Sequence, residues 1–194
     1  MRTAKVNRKT AETDIKIELN LDGTGKSSID TGVGFFDHML TLLSKHGFFD
    51  LTVKAKGDLA TGCHHTVEDC GLSLGEALKK AIGTKEGINR YGEATIPMDE
   101  ALFQVVIDFS GRPFLSWQAD IRPTLIGNME TEMAEEFFRA VAMASGMTLH
   151  VREISGNNTH HKIECIFKAF ARSLSQSVAL NPKVKGVMSS KGKL

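Results

Sequence analysis

Two copies of one five-residue pattern, His-His-x-x-Glu, constrain this chain more than any other feature of its sequence. The first copy is His64-His65-Thr66-Val67-Glu68, and the second is His160-His161-Lys162-Ile163-Glu164. Together they contain four of the chain's 7 histidines. On a helix, residues i and i+4 share one face and residue i+1 points about 100° away, so each copy presents a His/Glu pair in one direction and a second His in another. The repetition predicts a pair of metal ions held between duplicated halves.

Length and composition predict a single globular domain. The chain has 194 residues, of which 41% are hydrophobic, and a net charge of +1, so neither nucleic acid nor a membrane is an expected partner. Its apolar runs are far shorter than the roughly 20 residues needed to span a bilayer, and residues 1–5 lead into no signal region. The odd number of cysteines, 3, argues against a disulfide framework and favours a reducing, cytoplasmic location.

Hydrophobic periodicity and turn residues predict the same order of elements twice. The first part of the chain is expected to contain strands at 2–8 and 13–21, a helix at 34–45, a strand at 48–56 and a helix at 65–82. The second part is expected to contain strands at 102–109 and 113–119, a helix at 131–144, a strand at 147–153 and a helix at 160–179. We therefore expect an internally duplicated α+β fold in one domain, 1–194, with approximate halves 1–92 and 93–194. Each half is expected to be of βαβα type, with a mixed four-stranded sheet and two helices.

The histidines and glutamates of both patterns are candidate metal ligands. His38, in a predicted helix, and His150, at the end of a predicted strand, can each add one ligand to a half. The full candidate set is His38, His64, His65, Glu68, His150, His160, His161 and Glu164. Divided evenly, the set offers three imidazoles and one carboxylate to each ion, and such mixed nitrogen and oxygen ligation suits catalytic Mn, Fe or Zn.

Simpler roles compete with ligation at single positions. An isolated His is more often a surface or hydrogen-bonded core residue than a ligand, and only the repetition of the pattern reverses that preference. Cys63, Cys70 and Cys165 flank the two copies, and for them we favour buried free thiols over thiolate ligands.

A second group of residues is basic and lies near predicted turns and helix faces. It consists of Arg90, Arg112, Lys168 and the segment Ser189-Ser190-Lys191. The planar fork of Arg and the point charge of Lys suit a phosphate monoester. For each of these residues taken alone, ordinary solvated surface charge is the alternative.

Several longer motifs resemble the imidazoleglycerol-phosphate dehydratase family. They are Gly34-Phe35-Phe36-Asp37-His38-Met39-Leu40, His64-His65-Thr66-Val67-Glu68-Asp69-Cys70-Gly71, Pro97-Met98-Asp99-Glu100-Ala101-Leu102, Ser110-Gly111-Arg112-Pro113, Asn158-Thr159-His160-His161-Lys162-Ile163-Glu164 and Ser189-Ser190-Lys191-Gly192. The likeness runs in order through nearly the whole chain, beginning at Arg8-Lys9-Thr10-Ala11-Glu12-Thr13. The resemblance implies a hydro-lyase of histidine biosynthesis that converts D-erythro-imidazole glycerol phosphate to imidazole acetol phosphate.

The resemblance also implies a cofactor, an assembly and residue roles. Two Mn²⁺ ions are expected in each active site, bound by the eight candidate ligands, in a homo-oligomer of 24 subunits built from trimers. Glu12 matches the residue that acts as acid or base. The phosphate-binding set, carried over by motif, is His46, Arg90, Arg112, Lys168, Ser189 and Lys191.

The implied reaction explains why metal ions are needed. The proton that is lost lies on a carbon without an adjacent carbonyl, so the imidazole ring of the substrate must accept the electrons, and cations on its nitrogens favour this. On the residues alone, two other functions stay open: a dinuclear metallohydrolase of a small phosphate ester, and a metal-stabilised scaffold protein.

The chain departs from the family pattern at Gly62. Many members carry Asp at this position, two residues before the first His pair. A carboxylate beside a ligand can orient it, and such neighbours influence metal affinity. Gly62 therefore predicts that metal affinity in this chain differs from that of those members.

Overall fold

The first half of the chain forms a mixed four-stranded sheet. A computed structural model describes residues 1–194, the whole sequence. The strands of this sheet are β1 (Thr3–Lys9), β2 (Thr13–Asn20), β3 (Ser27–Asp30) and β4 (Asp50–Gly57), in the spatial order β1-β2-β4-β3. The β1–β2 and β2–β4 pairs are antiparallel, and β3 runs parallel to β4.

The second half repeats this topology. Its sheet contains β5 (Tyr91–Met98), β6 (Ala101–Asp108), β7 (Phe114–Gln118) and β10 (Thr148–Ser155), in the order β5-β6-β10-β7, with β7 parallel to β10. A small hairpin, β8 (Leu125–Ile126) and β9 (Met129–Glu130), lies between β7 and the next helix. The equal strand order and the equal parallel pair confirm the predicted duplication.

Four helices lie between the two sheets. They are α1 (Gly34–Gly47), α2 (His64–Ile82), α3 (Met133–Ser145) and α4 (Thr159–Val178). In β2 the buried residues alternate with exposed or half-buried ones, so one sheet face is apolar and packs on helices. Across the halves, α2 packs on α3 and α1 packs on α4. None of the four combines the length and the apolar character needed to cross a bilayer.

The predicted α+β class and the two mixed four-stranded sheets are confirmed, and all four helices occur close to their predicted positions. The predicted element order missed one strand of each four-stranded sheet, β3 and β5, and also the hairpin β8–β9. β3 and β5 are edge strands, where burial imposes the weakest pattern. β5 also contains Gly92 and Pro97, residues that argue against a strand except at an edge. The predicted division of the halves at 92/93 falls inside β5, which spans Tyr91–Met98. These bounds stay a prediction.

The contact between α2 and α3 depends on two glycines, Gly71 and Gly75, one turn apart on α2. A Cβ atom at Gly71 would lie 2.7 Å from the carbonyl oxygen of Phe137 and 2.8 Å from the Cβ of Ala140. A Cβ atom at Gly75 would lie 2.7 Å from the Cβ of Ala144. The missing side chains therefore let the two helix backbones approach closely.

We expect Gly71→Ala to destabilise the protein by about 1–3 kcal/mol, because the added methyl group overpacks the interface. In an open helix the same change is stabilising, since Ala has the higher helix propensity. Gly34→Ala is the matched control, because no atom lies within 4 Å of a Cβ at Gly34. Urea unfolding followed by circular dichroism measures the effect, and an unchanged or higher midpoint for Gly71→Ala would contradict it.

Candidate metal centre

Three predicted ligands from both halves meet where α1 packs on α4. The Nε2 atoms of His38 and His160 lie 3.6 and 3.3 Å from Oε2 of Glu164, and one ligand atom from each residue lies within 4.8 Å of the others. Two ligands of one ion can have such separations, because each bonds to a transition metal at about 2.0–2.2 Å. The cluster, two imidazoles and one carboxylate, therefore fits a divalent metal ion.

Glu164 is ionised at neutral pH although only 7% of it is exposed. Burial opposes its ionisation, but the hydrogen bond and the charge of Lys168, together with His38 and His160, outweigh burial and hold the pKa of Glu164 below its ordinary value. The Lys168 ammonium lies 2.6 Å from Oε1 of Glu164, so the other carboxylate oxygen faces the two histidines. This arrangement supplies a negative ligand where a cation would bind.

The first pattern forms a related pair at the start of α2. Nε2 of His64 lies 3.4 Å from Oε2 of Glu68, as the i,i+4 spacing predicts. His64 opens into a cleft of about 380 Å³, whose other polar lining residues are Asp120, Thr131, Glu132, Glu135 and Glu136. This pair therefore faces an acidic pocket beside α3.

The duplication relates Glu136 to His38. Helices α1 and α3 both end on a left-handed residue, Phe48 and Gly146, with φ of 61° and 76°. His38 lies ten residues before Phe48, and Glu136 lies ten residues before Gly146. Glu136 thus occupies in the second half the place that His38 occupies in the first, and it lines the same cleft as His64.

The second histidine of each pattern is oriented by a carboxylate. Nδ1 of His65 lies 3.0 Å from Asp58, and Nδ1 of His161 lies 2.8 Å from Glu100. These hydrogen bonds raise the pKa of both histidines and lower that of Glu100 to about 2. A carboxylate only accepts, so Nδ1 carries the proton and Nε2 of the neutral ring keeps its lone pair for a metal ion.

Sequence reasoning assigned no role to these two orienting carboxylates. Asp58 precedes a short 3-10 turn, and Glu100 lies in the β5–β6 turn, so the contacts are created by folding. The only signal available was Glu100 within the Pro97–Leu102 motif, which carries no geometric information by itself.

Glu12 lies beside His65, at the tip of the β1–β2 connection. Its Oε1 is 3.8 Å from Nε2 of His65. The Thr10 hydroxyl accepts hydrogen bonds from the backbone N–H groups of Glu12 and Thr13, and the Thr13 hydroxyl donates to Asp69 on α2. The turn is therefore fixed to the helix that carries the first pattern. In the second half, Oδ2 of Asp99 lies at the same 3.8 Å from Nε2 of His161.

His150 lies apart from these groups. It is a residue inside β10, not at its end, and it is exposed on the sheet face opposite the helices, with its ring 6.2 Å from that of Phe114. Its surroundings are Gln104, Val106, Ser116, Gln118 and Arg152, none of which is a predicted ligand. Within one chain the structure does not bring His150 to the other candidate ligands, and its metal role stays a prediction.

The predicted phosphate-binding residues form two separate groups. His46 and Lys168 belong to the region of the metal cluster: burial lowers the pKa of His46, and the charge of nearby Lys168 adds to this. The second group lies at the other end of α4, where Arg90 pairs with Asp108 and donates to the carbonyl of Met188 in the tail. Ser189 and Lys191 follow Met188 in the tail, and Gly111, next to Arg112, also lies against the tail, since a Cβ there would be 3.1 Å from Leu194. We call Arg90, Arg112, Ser189 and Lys191 the Arg90 group.

The two groups lie far apart along α4. The backbone N–H of Arg90 donates to the carbonyl of Ser177, near the C-terminal end of the helix, whereas His160 lies in its first turn. At 1.5 Å per residue, Ser177 and His160 are separated by about 26 Å along the helix axis. One small substrate therefore cannot contact the Arg90 group and the metal cluster of the same chain at once.

The cysteines are thiols in this structure. Cys63, Cys70 and Cys165 are all buried and unpaired. Burial raises the pKa of Cys63 to about 12 and that of Cys165 to about 11. The Cys63 thiol donates to Glu130 and the Cys165 thiol donates to the Ile96 carbonyl, so both act as hydrogen-bond donors.

Comparison with known proteins identifies relatives over the full chain. A family model described as imidazoleglycerol-phosphate dehydratase matches residues 31–174. Proteins of that name from Acetivibrio thermocellus and Clostridium acetobutylicum are 58% and 56% identical, each over 100% of this chain and 99% or 98% of the relative. The crystal structure of imidazoleglycerol-phosphate dehydratase from Staphylococcus aureus, 42% identical, superposes with a TM-score of 0.84 over 92% of this chain and 99% of that one.

Proposed function

This chain belongs to the imidazoleglycerol-phosphate dehydratase family, and we propose that it converts D-erythro-imidazole glycerol phosphate to imidazole acetol phosphate in histidine biosynthesis. As a dehydratase it is a carbon–oxygen lyase acting on a small molecule. The observation that carries the specific reaction is the cluster of His38, His160 and Glu164 across the two halves. It provides a metal site to which an imidazole ring can bind.

We propose that two Mn²⁺ ions bind, one at each duplicated place. Glu164 with His38 and His160 supports the first, and Glu68 with His64 supports the second. His65 and His161 present free Nε2 atoms because Asp58 and Glu100 hold their Nδ1 protons. Bound metal ions would favour loss of the ring proton from the substrate imidazole, which makes the ring an electron acceptor.

We propose Glu136 as a further ligand of the second ion. The correspondence of Glu136 with His38 and its place in the cleft with His64 support this assignment. His150, on the opposite face of the second sheet, lacks equivalent support from this chain.

Glu12 is proposed to transfer the proton that leaves the substrate carbon. Its carboxylate is exposed and ends 3.8 Å from Nε2 of His65, so it can reach a ring bound beside that histidine. The Thr10 and Asp69 hydrogen bonds fix its turn, which keeps the carboxylate at that position. Removal of this proton, together with loss of the hydroxyl on the next carbon, gives an enol that becomes the ketone.

We propose a homo-oligomer in which neighbouring chains complete each active site. The separation of about 26 Å between the metal cluster and the Arg90 group along α4 supports this. The Arg90 group of one chain would bind the substrate phosphate beside the metal cluster of another. From the resemblance to the family, we propose 24 subunits built from trimers. Three buried free thiols support the proposed cytoplasmic location.

The test of function is incubation with imidazole glycerol phosphate. With Mn²⁺, the wild-type protein is expected to form ketone and release no phosphate, and chelation of the metal should abolish the reaction. Glu12→Gln should keep Mn²⁺ binding but lose turnover by at least about 100-fold, since it removes the proton-transfer group. Phosphate release without ketone would instead indicate a metallohydrolase. Near-normal turnover by Glu12→Gln would remove Glu12 from its role.

Metal content distinguishes Glu136 from His150 as ligands. Glu136→Ala is expected to bind one Mn²⁺ ion less tightly by at least about 10-fold, because the second ion loses a carboxylate ligand. His150→Ala should bind both ions as the wild type does. Elemental analysis after dialysis, with isothermal titration of Mn²⁺, measures both variants. The reverse pattern would restore His150 to the ligand set.

Mixed oligomers test whether active sites are shared between chains. Arg112→Ala and His160→Ala variants should each be inactive alone, because one lacks a phosphate contact and the other a metal ligand. If each site combines the two regions from different chains, dissociation and random reassembly should restore about one quarter of the sites. Assay of the mixture beside each unmixed variant checks this. No recovery from a reassembled mixture, with wild-type protein recovering fully, would indicate sites within single chains.

A further inference from the structure

A hairpin found only in the second half reaches both metal-bearing helices of the first half. In the first half, β3 and α1 are joined by residues 31–33, whereas the corresponding connection in the second half, 119–132, contains β8 and β9. Met129 and Thr131 are fully buried. The Thr131 hydroxyl donates to the carbonyl of Arg122 and accepts from the N–H of Thr124. The base of the hairpin is therefore held firmly in the fold.

The tip of the hairpin contacts the start of α1. The side-chain amide of Asn128 donates to the carbonyl of Gly32 at 2.9 Å, and its carbonyl oxygen accepts from the N–H of Gly34 at 3.3 Å. Gly34 is the first residue of α1, and the N-cap residue Val33 offers no side-chain hydrogen bond. Asn128 thus supplies a partner for one of the free N–H groups at the helix start. His38 follows one turn later.

The end of the hairpin contacts the start of α2. Oε2 of Glu130 accepts from the thiol of Cys63 at 2.7 Å and lies 3.4 Å from its backbone N–H. Cys63 is the N-cap residue of α2 and makes no side-chain hydrogen bond to the helix. A carboxylate at this end of a helix is stabilised by the helix dipole and the free N–H groups. The next residue is His64.

Glu130 also fills the space that Gly62 leaves. A Cβ at Gly62 would lie 3.0 Å from Oε1 of Glu130, and φ of 109° at Gly62 is a conformation that favours glycine. The chain therefore has a carboxylate beside the first His pair after all. It comes from β9, 67 residues after Cys63.

The helix of the second pattern begins differently. Asn158, the N-cap residue of α4, accepts hydrogen bonds from the N–H groups of His160 and His161. This cap is local and strong, because Asn directly before a helix satisfies its first N–H groups. The N-cap residues of α1 and α2 make no such side-chain hydrogen bond. Asp37 ties the start of α1 back to Thr31, and the hairpin adds a contact to the start of each of these two helices.

We propose that the hairpin Leu125–Glu130 is a positioning element of the metal centre. Asn128 fixes the start of α1 and thereby His38, and Glu130 fixes the start of α2 and thereby His64. Glu130 supplies from the second half the carboxylate that position 62 lacks. This inference rests on the proposed metal role of the two histidines.

The experiment is a titration of the full-length, metal-free protein with Mn²⁺, in which the electron paramagnetic resonance signal of free Mn²⁺ measures binding. Glu130→Gln keeps the shape of the side chain and removes its charge. It is expected to lower the Mn²⁺ affinity of one of the two sites by about 10–100-fold. Glu130→Ala should weaken it at least as much. Glu76→Gln is the control, because Glu76 is a half-exposed carboxylate on α2, the helix whose start Glu130 contacts, and it is paired only with Lys80.

Two further variants separate positioning from folding. Cys63→Ser keeps a donor for Glu130 and should bind Mn²⁺ as the wild type does. Asn128→Ala should weaken binding through α1. Thermal unfolding of the metal-free proteins is measured in parallel, and a lower midpoint for Glu130→Gln with unchanged Mn²⁺ affinity would overturn the proposal. If the wild type itself bound no Mn²⁺, the proposed metal function would fail; wild-type binding with wild-type-like Glu130→Gln would refute the positioning role alone.

Discussion

The candidate metal site depends on the packing of one half of the fold on the other. His38 comes from α1, whereas His160 and Glu164 come from α4, so neither half can form the cluster alone. The duplication places α2 against α3 in the same way, with His64 and Glu136 lining one cleft. Each proposed ion would thus lie between helices of both halves. Close contacts such as that of Phe36 with Phe137, at 5.2 Å between ring centroids, fix the relation between them.

Charge explains how the same helix can contribute to two different active sites. Lys168 neutralises buried Glu164, and its ammonium lies directly beside the carboxylate that faces the histidines. A phosphate bound by Lys168 would therefore lie next to the metal cluster. Arg90 is held by Asp108 at the far end of α4, and its charge is directed toward the tail. Because a small substrate cannot span the helix, the two cationic groups of one chain would serve different active sites in the proposed oligomer.

The sequence predicted what periodicity and local spacing determine. The four helices, the duplication and the i,i+4 pairs such as His160 with Glu164 follow from side-chain patterns within a few residues. Edge strands β3 and β5 were missed because an edge strand is only partly buried and leaves a weak pattern. The carboxylates that orient His65 and His161 were missed because turns bring them there from elsewhere in the chain. His150 was expected to add a ligand as His38 does, but within one chain a strand residue on the outer face of a sheet lies away from the helices on the other side, so its metal role stays a prediction.

The two patterns themselves show where local reasoning ends. A helix needs partners for its first N–H groups, and a sequence can reveal them only if they lie within a few residues. Asn158 is such a partner for α4, and it can be read directly from the chain. Before α2 the corresponding position holds Cys63, a poor cap, and the partner is Glu130 on a hairpin of the other half. Two copies of the same candidate metal-binding pattern can therefore be positioned by different contacts. A missing local cap at the start of such a helix is a reason to look for a carboxylate elsewhere in the chain.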